Sequence, residues 1–179
     1  MVIQRGQDVI TVFQADSKRE LLEQMGESVT ERIELGTEVD TVWRAFGVSA
    51  CFKDQSPYSI TLLCDIAGIE PKVLQVAPHD LVFVAFNKSV VIIDPRKLEV
   101  VATFVYESPI FDLSYYVTGK IVVAVFETGV KAICSDTVKV VWELATDVIE
   151  SWNINNDFFQ FKEMDGIERS VRIMDGTEH

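Results

Sequence analysis

Residues 40–144 repeat themselves with a period of 40, and no other feature of the sequence restricts the available folds as strongly. Set without a gap, Asp40–Tyr58 lies over Asp80–Leu98. Asp40 then falls on Asp80, Val42 on Val82, Ala45 on Ala85, Phe46 on Phe86, Ser49 on Ser89 and Asp54 on Asp94. A second step of 40 places Leu81 on Ile121, Phe86 on Phe126, Val90 on Val130, Leu98 on Val138 and Val100 on Val140. Periods of about 20–50 residues mark stacked supersecondary units, and about 40–45 residues accommodates four short strands per unit.

The strand pattern fills each period. The first unit, near 41–77, reads TVWRAF, SACFKD, YSITLLCD and KVLQVAP. The second, near 81–116, reads LVFVAF, SVVIID, LEVVATFVY and IFDLSYY. The third, near 120–153, reads KIVVAVF, GVKAIC, TVKVVWEL and VIESWNI. Near-continuous apolar runs in the first two strands of a unit predict burial on both faces, while alternation in IFDLSYY and VIESWNI predicts edge strands facing solvent. Asn87-Lys88, Glu127-Thr128-Gly129 and Asp94-Pro95-Arg96-Lys97 supply polar hairpin turns. Phe46, Phe86 and Phe126 hold equivalent positions and predict one buried ring per unit.

The ends carry partial units. DFFQFKEM and SVRIMD flank a turn at Asp165-Gly166, and DVITVF and TERIEL near the start are strand-like. Pairing of these segments would make a composite unit from 157–175 and 8–35. Residues 17–25 admit two readings. Ser17 as a cap, Glu20 three residues on and Gly26 as a stop favour a helix. The match of VFQADSKRELL to VIIDPRKLEVV favours a strand leading through a turn into another strand. The expected fold is mainly β: one domain over 1–179, with about four antiparallel meander units. Pairing of N- and C-terminal strands is the route by which the array would close.

In period, strand pattern and turn residues the chain resembles the β-propeller families of the WD40 and quinoprotein-like kind, over about residues 8–175. A Trp-Asp dipeptide closing a strand, a Gly-His pair and the kelch di-glycine are all absent, and Trp43, Trp142 and Trp152 do not recur at one repeat position. In closed propellers the last blade is commonly completed by strands from the other end of the chain, which is what the composite unit would do here.

Charge narrows the partners. The net charge of −12 divides into −5 over residues 1–40, −1 over 41–142 and −6 over 143–179. Phosphate attraction needs a basic footprint, so nucleic acid is disfavoured. No apolar run nears the ~18–20 residues of a membrane span, and MVIQRGQDVITVF lacks the pattern of a signal peptide, so a cytoplasmic location is expected. Cys51, Cys64 and Cys134 are an odd number without a C-x-x-C pair, and each sits in an apolar strand pattern as a small buried hydrophobe.

No motif carries catalysis. His79 beside Asp80 reads as the end of a loop, and His179 as a disordered terminal residue. Nucleophile elbows, phosphate loops and dinucleotide turns are absent. Asp65 with Glu70-Pro71-Lys72 is similar to a metal-nuclease arrangement, but the separation is short and Pro71 breaks the strand. Asp40, Asp54, Asp80 and Asp94 recur as turn residues accepting backbone N–H groups, and Asp165, Asp175, Glu163 and Glu168 have no metal-loop spacing.

Tyr106, Phe111, Tyr115, Tyr116 and Trp152 cluster at unit ends, where packing between units competes with partner binding. The sequence therefore points to a non-catalytic protein-interaction module without cofactor or metal. Glu143, Asp147, Glu150, Trp152, Tyr115 and Tyr116 are its candidate contacts for a basic partner, and open strand edges would admit a homodimer. The alternatives are an acidic inhibitor or immunity protein neutralising a basic enzyme, and a hydrolase with scattered carboxylates.

Overall fold

A computed structural model describes residues 2–5, 8–25, 31–36, 44–51, 58–76 and 81–179. Two compact units make up the chain: residues 1–71 with 93–101, and residues 72–92 with 102–179.

In the first unit, β1 (Val2–Arg5), β2 (Asp8–Ala15), β3 (Glu31–Leu35), β4 (Arg44–Cys51) and β5 (Tyr58–Cys64) form one sheet in the order β1-β2-β4-β5-β3. The β3–β5 pair is parallel and the others antiparallel. Between β2 and β3 lies α1 (Lys18–Met25). Local capping decides its conformation over the repeat: the Glu20 N–H donates to Ser17 Oγ at 3.2 Å, and the Asp16 N–H donates to Glu20 Oε2 at 3.2 Å. Leu21 and Met25 then pack with Ala15, Ala45, Leu63 and Phe13.

Gly47 makes room for this helix, since a Cβ there would lie 2.5 Å from Met25 Sδ and 3.0 Å from Leu21 Cδ1. Gly47 pairs with Thr61 inside β4, so the described parts of the expected TVWRAF and SACFKD strands, Arg44–Phe46 and Ser49–Cys51, belong to one strand without a turn between them. Replacing Ser17 with alanine should cost about 1 kcal/mol through loss of the cap. Urea denaturation followed by far-ultraviolet circular dichroism measures it.

The remaining strands are more regular. β6 (Lys72–Val76), β7 (Leu81–Phe86), β8 (Ser89–Asp94) and β9 (Glu99–Val105) form one sheet. A second holds β10 (Ile110–Tyr116), β11 (Ile121–Phe126), β12 (Gly129–Cys134) and β13 (Lys139–Ala145). A third holds β14 (Ile149–Asn155), β15 (Phe158–Glu163) and β16 (Glu168–Arg172).

The expected unit boundaries are therefore displaced by one strand. KVLQV, IFDLSYY and IESWNIN each open the following sheet instead of closing their own. The most exposed strands are β9, β13 and β14, so VIESWNI is a solvent-facing edge strand as expected, whereas IFDLSYY is an edge strand that is largely covered. A repeat fixes period but not phase, because shifting every boundary by one strand leaves the alignment unchanged. The composite unit is also corrected. The hairpin β15–β16 forms as expected, with Gly166 at φ 90°, but β2 pairs with β4, and among the described residues no strand from 8–35 joins the third sheet.

β11 shows why its sequence is apolar throughout. Val122, Ala124 and Phe126 face a core shared with β7 and β8, whereas Ile121, Val123 and Val125 face one shared with β15 and β16. Phe46, Phe86 and Phe126 are buried, at 3%, 7% and 7% exposure.

The turns repeat as closely as the cores. Leu98 (φ 55°), Val138 (φ 55°) and Gly176 (φ 73°) occupy matching left-handed positions, a rare conformation for the first two residue types. Asn87 O accepts the Ile110 N–H at 3.0 Å, and Glu127 O accepts the Ile149 N–H at 2.9 Å. At the C-terminus His179 is held: its N–H donates to Ser170 O at 2.9 Å, and its ring meets Phe158 edge-on at 5.0 Å.

Candidate functional site

One end of the second unit is built from turns and sheet-to-sheet connections that hydrogen-bond in succession. The Glu127 N–H donates to Pro109 O at 3.0 Å, and the Thr128 N–H donates to Ser108 Oγ at 3.3 Å. The Thr146 N–H donates to Thr128 O at 3.1 Å, and the Met164 N–H donates to Val148 O at 2.9 Å. These bonds set Glu107, Glu127, Asp147 and Asp165 along a single rim. Glu107, Asp147 and Asp165 are exposed and Glu127 partly so. Asp147 Oδ1 accepts the Val148 N–H at 2.7 Å, and Asp165 Oδ1 accepts the Ile167 N–H at 3.0 Å, which fixes both carboxylates against their turns. Among the described residues, none of the four forms an ion pair.

The other end of the same sheets is partly compensated. Asp136 pairs with Lys120 at 2.6 Å and Asp175 with Arg172 at 3.6 Å, while Asp157 has only a hydrogen bond from the Tyr116 hydroxyl. Among the described residues, four carboxylates thus stand at one end of these sheets against one cation, Lys88, whose carbonyl accepts the Tyr106 N–H at 2.8 Å.

The residues singled out from the sequence are distributed differently. Asp147 stands on the rim. Glu143 is paired with Lys131 at 3.1 Å and Glu150 with Lys162 at 2.6 Å. Tyr115 and Tyr116 lie on opposite faces of β10: the first packs against the core toward β7, the second against the core toward β15. Trp152 stacks on Phe111 with ring centroids 6.2 Å apart and donates from Nε1 to Asp112 Oδ2 at 3.3 Å. Tyr116 and Trp152 are thus engaged in joining adjacent sheets. Glu107 and Glu127 escaped the sequence reading, although the 20-residue spacing of Glu107, Glu127 and Asp147 signals them: half a period separates a connection from the next turn.

Among the described residues no group of three or more His, Cys, Asp or Glu gathers as a metal site. His79, Asp80, Asp40 and Asp54 lie outside the described residues. Asp94 does accept backbone N–H groups across its turn, from Arg96 at 2.9 Å and Lys97 at 3.4 Å.

Cys134 holds the position of Asp94 one period later, and it is partly exposed, not a buried hydrophobe as expected. The Thr137 hydroxyl, aided by the Thr137 and Asp136 N–H groups, holds its thiol below the usual pKa, whereas burial and then Asp65 push Cys64 up to about 12. More thiolate is therefore present on Cys134 at any given pH. Iodoacetamide at pH 8 should label Cys134 at least about tenfold faster than Cys64, as read by peptide mass spectrometry.

The fold is a mainly-β, propeller-like array of sheets without the signatures of a particular family. Among solved structures, the chain is similar to the dihydro-heme d1 dehydrogenase NirN, with a TM-score of 0.57 and 12% identity over 76% of this chain and 33% of that one. It is similar to Sqt1 of Saccharomyces cerevisiae at a TM-score of 0.52 and 13% identity, over 79% of this chain and 45% of that one. For the computationally designed Ika4 protein the values are 0.50 and 14%, over 65% and 74%. NirN and Sqt1 are propeller proteins, and this chain spans a third and under half of their respective lengths. At these identities the likeness is one of fold alone. No family model and no curated protein matches the sequence. No helix among the described residues is long and apolar enough to cross a membrane.

Proposed function

We propose that this chain is a non-catalytic protein-interaction module that engages a basic partner along the rim of Glu107, Glu127, Asp147 and Asp165. The observation supporting this reading is that four carboxylates lie in succession at one end of three packed sheets without an ion pair among the described residues, while at the other end Asp136 and Asp175 are paired. Like charges held side by side repel one another, and a complementary surface relieves that repulsion while being drawn in from a distance. The rim stands on turns anchored to sheet cores, so little ordering cost accompanies binding.

Affinity capture at low salt tests the proposal, using the wild-type chain and a variant carrying Glu107→Gln, Glu127→Gln, Asp147→Asn and Asp165→Asn as baits. Proteins retained by the first and lost by the second should be basic at their contact face. Equal retention by both baits would remove the rim from the reading.

A further inference from the structure

β15 ends on a residue that breaks the repeat. In the preceding sheet Ile110 faces Phe126 across the ladder just before a bulge; in the last sheet Ile149 faces Glu163 just before the corresponding bulge. Phe126 is buried against the Tyr106 ring, with centroids 4.7 Å apart. Glu163 is as deeply buried, at 5% exposure, yet it carries a carboxylate. An apolar side chain would satisfy this position at lower desolvation cost, so the charge calls for a reason.

Its contacts supply one. Glu163 Oε1 accepts the backbone N–H of Asp147 at 3.1 Å and a hydrogen bond from Arg169 Nη1 at 3.3 Å, and Arg169 also pairs with Glu178. The carboxylate therefore reaches from the sheet interior to the connection that carries Asp147, and Arg169 holds it in place. We propose that Glu163 is a positioning residue for the acidic rim: it does not meet the partner but fixes the backbone that presents Asp147. This rests on the reading of the rim as the binding surface.

Amide hydrogen exchange by NMR, with Tm measured on the same samples, tests the positioning without any partner. In Glu163→Leu the Asp147 amide should exchange about tenfold faster than in the wild type, with Tm lowered modestly and the chain still folded. In Glu163→Gln, which keeps an oxygen acceptor of the same reach, exchange should return to near the wild-type rate. Association of a deca-lysine peptide should be slowed in Glu163→Leu and restored in Glu163→Gln. Unaltered Asp147 exchange in Glu163→Leu, or a Glu163→Leu chain that fails to fold, would overturn the positioning role. If exchange follows the prediction while deca-lysine binds no variant, positioning stands and the rim reading fails.

Discussion

Truncating Phe126 to alanine should cost about 3–5 kcal/mol, the range for removing a buried aromatic ring from a core that cannot collapse onto the space. Its ring lies in the cluster that joins β7 and β8 to β10, β11 and β12, and it is in contact with Tyr106. The neighbours are strands locked by backbone ladders on either side, so relaxation into the cavity is limited. Guanidinium denaturation gives the value directly. A loss under about 1 kcal/mol would mean that Phe126 does not hold the sheets together.

Gly129→Ala should destabilise by about 1–3 kcal/mol through overpacking, although it adds one methyl group. A Cβ at Gly129 would lie 2.5 Å from two carbons of the Phe126 ring and 2.7 Å from Leu144 O. The ring can shift a little, but the carbonyl belongs to β13 and cannot. The two substitutions should not add. In Phe126→Ala/Gly129→Ala the ring clash vanishes while the carbonyl clash persists, so the double variant should be more stable than the sum predicts. Additive losses would place the cost of Gly129→Ala wholly on the Leu144 carbonyl.

The period, the strand segments and the buried phenylalanines are legible in the sequence because both-face burial writes itself as continuous apolar runs, as in Ile121–Phe126. Sheet membership is not, because β10 carries the same alternating pattern whichever neighbour it hydrogen-bonds. The helix at Lys18–Met25 is legible only if Ser17 and Glu20 are weighed above the repeat, since a cap is a local bond and the resemblance to later units is not. Among the described residues the ends do not pair, because DVITVF finds its partners in β1 and β4.

The candidate site was legible in charge but not in place. Segment totals point to residues 143–179, and Asp147 stands there. Glu143 and Glu150, however, face Lys131 and Lys162 across neighbouring strands, pairings that depend on register. Glu107 and Glu127 lie in the nearly neutral middle segment, where a net count hides them; only the succession of turn hydrogen bonds brings them beside Asp147.

The binding role of the rim is tested most directly by the association rate of a captured partner, measured from low to moderate salt on three proteins. These are the wild type, the four-carboxylate rim variant, and a control carrying Glu143→Gln and Glu150→Gln. Because exposed charges are screened over about 8 Å at physiological ionic strength, the wild-type rate should fall steeply as salt rises. At low salt the rim variant should associate about tenfold more slowly and lose most of that salt dependence, with the control close to wild type. A wild-type rate indifferent to salt, or a control slower than the rim variant, would contradict an acidic rim as the surface that meets the partner.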